Sequence, residues 1–279
     1  MWMALAFSIL PLLGQELPPP EPKAEATGPP SEPPTIGIKA VPKILLDDTL
    51  FIATAPARWD RKDWLHTGEG LAAVVGTALL LDTRVRDESQ RHRGPVTDKV
   101  AGQIQNFGAG YAIGVMGGFW VYGKLAGDSE ALYTSLDALE ASLIAGVVIG
   151  PLLKSAVGRS RPSEQQGAFH FRPFGGGVSA PSGHTTEAFA LAVVISEHYP
   201  QAWVPYVTYG IAALVGASRI QQNAHFASDV VSGALLGTLV GGTIVRRNQE
   251  RRGGVGKLKV ALSPSFGTGH RGLSLSLKF

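Results

Sequence analysis

Three short polar clusters lie between apolar stretches of a 279-residue chain, and each holds groups suited to an anion. The first is "KSAVGRSRP", Lys154 to Pro162, with Lys154 and Arg161 and a further arginine, Arg159, between them. The second is "PSGH", Pro181 to His184, and the third is "SRIQQNAHFASD", Ser218 to Asp229. Lysine and arginine are permanent cations, and the guanidinium of Arg219 is a planar fork matched to phosphate oxygens. Ser182 is placed to open a helix, and Gly183 lets a ligand approach the backbone. The free N–H groups of a first helical turn then make an anion site with His184 beside it. His225 and Asp229 are four residues apart, so in a helix they share a face. A carboxylate behind an imidazole fixes its tautomer and stabilises its cation.

Taken singly, each cluster has an ordinary explanation. Basic residues suit a helix C-terminus, a serine caps a helix beside a surface histidine, and a His–Asp pair closes a turn. Taken together, three cations, a helix N-terminus, two histidines and one carboxylate suit a bound phosphate. One histidine would act as nucleophile and the other as acid. The chain has no cysteine, which excludes disulfides, thiolate metal sites and a cysteine nucleophile. No carboxylate cluster for Mg²⁺ and no zinc-type histidine spacing is evident, so neither a metal nor any other cofactor is expected. The formal net charge of +3 is too small to point to nucleic acid.

The pattern K-x6-R-P, P-S-G-H, S-R-x5-H-x3-D resembles the signature of the type 2 phosphatidic acid phosphatase and haloperoxidase superfamily. All eleven specified positions match in order. The resemblance implies that Lys154, Arg161 and Arg219 grip phosphate oxygens, helped by Ser182 and the Gly183 amide. It implies that His225 attacks phosphorus to give a phosphohistidine and that Asp229 orients His225. His184 would protonate the leaving oxygen and later activate water. His225 must then be neutral and His184 protonated, so their environments must push the two pKa values apart. The implied activity is metal-independent hydrolysis of a phosphomonoester or diphosphate: a lipid phosphate, a polyprenyl diphosphate or a small phosphoester. Two alternatives share the pattern or dispense with it. One is a haloperoxidase holding vanadate, which is otherwise only a phosphate mimic or inhibitor here. The other is a non-catalytic envelope module.

Six apolar segments rich in Ala, Leu and Gly must position these clusters: Thr67–Leu81, Asn106–Lys124, Ala131–Leu153, Thr185–His198, Trp203–Ala217 and Val230–Val245. They lack strand alternation, so the expected fold is all-α. The resemblance makes it a six-helix bundle of the acid phosphatase and haloperoxidase type spanning residues 44–245. Residues 1–14 resemble a signal peptide, and 15–43 form a Pro-rich linker that cannot build a core. Residues 246–279 carry a basic stretch, then alternating segments around "SPSFGTGHRG" that suggest a small β-hairpin. A bilayer span needs about 20 apolar residues, and most of the segments fall short or carry acids such as Asp137, Glu140 and Glu187. The expectation is therefore a periplasm-facing domain of the cell envelope, soluble or membrane-associated, with an integral six-span protein as the alternative. The expected partner is a phosphorylated substrate, with a lipid among the candidates.

Overall fold

The computed structural model describes residues 41–252, together with the backbone of 259–267 and 270–278. The expected signal segment and nearly all of the linker lie outside the described residues. Among the described residues ten α-helices follow one another: α1 (Val41–Ala53), α2 (Arg61–Leu80), α3 (Asp82–Arg91), α4 (Pro95–Ile104), α5 (Gly110–Ala126), α6 (Ser129–Ser142), α7 (Gly150–Val157), α8 (Gly183–His198), α9 (Trp203–Gln221) and α10 (Ala227–Arg251). Toward the C-terminus the backbone of Lys259–Gly267 pairs antiparallel with that of His270–Lys278.

The boundaries follow from local chemistry. Asp60 opens α2 by accepting from the backbone N–H groups of Lys62 (2.7 Å) and Asp63 (2.9 Å), while Asp63 accepts from the Asp60 N–H (3.0 Å). This reciprocal box satisfies donors that the first turn leaves unpaired. Asp128 opens α6 in the same way through the Ala131 N–H at 3.1 Å. At Leu81 the chain bends by 54° from α2 into α3, which places Asp82 at the corner.

The six apolar segments correspond to α2, α5, α6 with α7, α8, α9 and α10. Helices α1, α3 and α4 went unread. The sequence of α3, "DTRVRDESQR", has no apolar stripe to announce it. Helix α1 starts at Val41, inside the stretch assigned to the linker. Helices α6 and α7 form one continuous helix, Ser129–Val157, through a π-helical stretch at Leu143–Ile149.

Helix α8 is central and packs on α10, α9 and α6. Its close approach to α10 depends on glycines spaced four apart. A Cβ on Gly233 would lie 2.6 Å from the Ser182 carbonyl oxygen, and one on Gly237 would lie 2.2 Å from that of Thr186. One on Gly241 would lie 2.5 Å from Val193 Cγ1. Small residues on one face let two helix backbones come together in this way. Ala141, Ile144, Ala190, Val194, Val240 and Ile244 fill the core around this seam.

Charge closes the end of the bundle away from the three polar clusters. Asp48 of α1, fully buried, accepts from Arg247 Nε and Arg251 Nη1 at 2.6 Å each. Asp137 of α6 is also fully buried and accepts from Asn248 (3.0 Å), Arg252 (3.1 Å) and His198 (2.9 Å). The acids that made this segment look too polar to cross a bilayer are thus paired inside the protein. Among the described residues two helices, Ser129–Val157 and Ala227–Arg251, are long and apolar enough to cross a membrane. The count becomes three if the bent pair α2–α3 is one span.

Candidate active site

The three clusters meet at one end of the bundle. Helix α7 stops at Gly158, which adopts φ +59. A Cβ there would fall 1.8 Å from the Arg172 carbonyl oxygen, so only glycine allows the following loop to fold back over the helix end. Arg172 N donates to the Gly158 carbonyl at 2.8 Å, and Arg159 bridges Phe171 antiparallel. The loop then returns to α8, whose N-cap is Ser182.

Ser182 occupies the cap position predicted for it, but its hydroxyl does not bond a helical N–H. It accepts from the Thr185 hydroxyl at 2.9 Å, and Ser182 N donates to the Asp229 carbonyl at 2.9 Å. The first turn of α8 is therefore not closed by its own cap. The missing side chain of Gly183 faces Lys154, with 3.9 Å between a built Cβ and Lys154 Cε. Lys154 Nζ donates to the Val178 carbonyl at 2.8 Å.

Arg219, on the last turn of α9, directs Nη1 to the side-chain oxygens of Gln105 and Gln222. Its Nε is buried without a partner, as are Arg161 Nε and His225 Nδ1. Orphaned donors of this kind are uncommon in protein interiors, and their concentration at one place needs a cause.

His225 does not lie in the helix, contrary to the assumption that made it share a face with Asp229. It precedes α10, whose N-cap is Phe226, while Asp229 sits in the first turn and accepts from the Phe226 N–H at 2.9 Å. The two side chains still approach, with His225 Nδ1 3.8 Å from Asp229 Oδ2. That distance is a charge contact and too long for a hydrogen bond.

Arg159 was grouped with the cations after the third apolar segment, as a further positive charge. It points elsewhere. Only 2% exposed, it donates from Nη1 to Asp229 Oδ1 (2.6 Å) and Ser228 Oγ (2.7 Å), and from Nη2 to Asp82 Oδ2 (2.6 Å). Its Nε donates to the Ala168 carbonyl at 3.0 Å, and its guanidinium lies over the Phe226 ring at 4.3 Å. Ser179 Oγ donates to Asp229 Oδ2 at 2.5 Å. Asp82, Ser179, Ser228, Gln105 and Gln222 were not identified from sequence. Only Gln222 and Ser228 fall within a motif, and there at unspecified positions.

Both histidines shift downward, although the expected roles call for a protonated His184. Burial pushes His184 down to about 4, helped by the charges of Arg219, His225, Lys154 and Arg161. Burial also lowers His225, with Lys154 and Arg219 adding to it, while Asp229 opposes the shift. Burial is the main reason that both rings favour the neutral form, and the neighbouring cations add to it. Lys154, Arg161, Arg219 and His225 thus all lie within electrostatic reach of His184.

Residues 136–252 match the family model described as the PAP2 superfamily, the family that the motifs resemble. Its fold is helical. Similar curated proteins include a lipid A 1-phosphatase of Porphyromonas gingivalis, 38% identical over 107 residues, which are 38% of this chain and 21% of that protein. A lipid A 1-phosphatase of Rhizobium etli is 33% identical over 116 residues, 39% of this chain and 49% of that protein. The undecaprenyl-diphosphatase BcrC of Bacillus subtilis is 26% identical over 151 residues, 54% of this chain and 74% of that protein. The chain thus spans half or less of the lipid A phosphatases it matches. Among solved structures, Aquifex aeolicus LpxE aligns over 60% of this chain and 95% of its own, with 22% identity and a TM-score of 0.45.

Proposed function

We propose that this protein is a membrane-embedded, metal-independent phosphatase that hydrolyses a lipid phosphate or polyprenyl diphosphate through a phosphohistidine. The observation that carries the reading is the set of orphaned buried donors, Arg161 Nε and Arg219 Nε, beside His184, His225 and the uncapped first turn of α8. A phosphate bound there would accept from both guanidinium groups and from the helix N-terminus, with Lys154 as the third cation. These fixed charges supply the stabilisation of developing negative charge that a metal supplies elsewhere.

In the proposed step the His225 Nε2 lone pair forms a bond to phosphorus. The P–O bond to the leaving group breaks, and its electron pair goes to oxygen, which takes a proton from His184. Water, deprotonated by His184, then attacks phosphorus and releases His225. The dianion itself prepares the acid: its negative charge among Lys154, Arg161 and Arg219 offsets the cations that hold His184 neutral and restores its proton.

A lipid substrate fits the outer surface. Leu71 and Leu79 of α2, Ile113 and Leu125 of α5, Leu152 of α7 and Leu239 of α10 are all more than half exposed. Apolar side chains spread over so many helices suit a hydrocarbon surround. Helix α10 begins at the candidate site and ends in Arg246, Arg247 and Arg251. Positively charged ends favour the cytoplasm, so the site faces the other side, the periplasm of a bacterial-type envelope.

The test is phosphate release by the full chain in detergent micelles, from phosphatidic acid, lipid A, undecaprenyl diphosphate and p-nitrophenyl phosphate, with and without EDTA. The expected result is release from at least one lipid, unchanged by EDTA and abolished in His225→Ala and His184→Ala. Retained activity in both variants, or a strict Mg²⁺ requirement, would overturn the proposal.

A further inference from the structure

Behind the proposed nucleophile lies a buried row of three charges: Asp82 from α3, Arg159 from the loop after α7, and Asp229 from α10. The two carboxylates are fully buried and Arg159 is 2% exposed, so none of the three is neutralised by water. Asp82 is held on every side. Its Oδ2 accepts from Arg159 Nη2 (2.6 Å) and Ser228 Oγ (2.6 Å), and its Oδ1 accepts from the Ser228 N–H (2.8 Å). That last bond ties α3 directly to the first turn of α10, one residue from Asp229.

The charge balance of this row matters for phosphoryl transfer. Asp229 paired with Arg159 alone would form a neutral couple. It would then have little to offer a ring that becomes cationic when Nε2 bonds to phosphorus and Nδ1 keeps its proton. Adding Asp82 leaves one net negative charge, set against the Nδ1 edge of His225 at 3.8 Å. The other charged and titratable groups facing His225 are Lys154 of α7, Arg219 of α9 and His184 of α8, none of them an anion. The row is therefore the negative side of the pocket.

We propose that Asp82 is a positioning residue for the phosphoryl transfer: by sharing Arg159 with Asp229, it leaves the charge row behind His225 one net negative charge that stabilises the cationic phosphohistidine. The proposal rests on His225 being the attacking group. Asp82 touches neither substrate nor the reacting atoms and acts through Arg159 and Asp229.

The experiment compares wild type, Asp82→Asn, the double variant Asp82→Asn with Arg159→Met, and His225→Ala, as full chains in micelles of detergent and phosphatidic acid. Phosphate release is measured across pH and thermal unfolding in parallel. Asp82→Asn removes the net negative charge. It is expected to lower kcat about tenfold with KM within about twofold, and to move the acid limb of kcat/KM lower by about one pH unit, since His225 resists protonation more strongly. The double variant removes the intervening cation as well and returns a net negative charge to Asp229. It is expected to be more active than Asp82→Asn, the reverse of what lost packing alone would give. Asp82→Asn with wild-type kcat and acid limb, or a double variant no more active than the single, overturns the proposal. If Asp82→Asn fails to fold, the double variant decides alone. A kcat within tenfold of wild type supports the proposal, and a lower value or loss of the fold overturns it. Full activity in His225→Ala would instead sink the phosphohistidine reading, a distinct outcome from a silent Asp82→Asn beside an inactive His225→Ala.

Discussion

The seam between α8 and α10 makes Gly237→Ala a demanding test of how the site is held. A methyl group there would stand 2.2 Å from the Thr186 carbonyl oxygen, 2.8 Å from Ala190 N and 3.1 Å from Phe189 Cβ. The first two neighbours are helix backbone, which cannot swing aside as a side chain can. Restoring an ordinary contact of about 3.5 Å requires the helices to part by about 1.3 Å along that line. Overpacking of this kind costs roughly 1–3 kcal/mol. The parting also moves His184, on the first turn of α8, away from His225, two residues before the start of α10. A displacement of about 1 Å between reacting groups costs roughly a hundredfold in rate. Gly237→Ala is therefore expected to lower the thermal unfolding midpoint and to reduce kcat about a hundredfold. Gly114→Ala on α5 is the control, because a Cβ there meets nothing within 4 Å. Phosphate release from phosphatidic acid and thermal unfolding in one detergent measure both effects. A Gly237→Ala protein that matches Gly114→Ala in both would refute the packing argument.

Three further outcomes are expected. Gly158→Ala forces a side chain into positive φ and against the Arg172 carbonyl oxygen, so it should loosen the loop carrying Arg159 and Arg161. Limited proteolysis between residues 158 and 182 should speed up while the rest of the chain stays intact. Arg219→Lys removes the planar fork while keeping the charge, and should raise KM for phosphatidic acid about tenfold. An unchanged KM would show that Arg219 does not grip the phosphate. For His184 the folded pKa, about 4, lies below its unfolded value, so the unfolded chain binds the proton first as pH falls. Its contribution to stability is complete above about 6.5 and is lost as pH drops toward 4. Unfolding curves of His184→Gln should be flatter than wild type over that interval.

The site was legible in sequence to the extent that its residues sit in short contiguous motifs. Lys154, Arg161, Ser182, His184, Arg219, His225 and Asp229 announce themselves by type and spacing, and the helices that bring them together are apolar enough to be read. What supports Asp229 was not legible. Asp82 lies far upstream, at the start of a polar helix without periodicity, and nothing local marks it as buried. Arg159 is one of three basic residues in its motif, and only the fold-back at Gly158 decides that it turns inward while Arg161 does not. Asp137 and Glu140 misled in the other direction. They argued against a bilayer span because their partners, His198, Asn248 and Arg252, come from helices distant in sequence. The π-helical stretch at Leu143–Ile149 has no sequence cue that we can name.

Helix α10 is fastened at both ends, at Asp229 by Arg159 and Ser179 and at Asn248 by Asp137 and Glu140. The distance between these fastenings is about 28 Å of helix. One residue inserted between them would turn the far fastening by about 100° and carry Asn248 and Arg251 off their acids. The helix is thus a ruler of fixed length. Substitutions along its outer face can accumulate freely, whereas insertions and deletions between Asp229 and Asn248 should be absent from any working descendant of this chain.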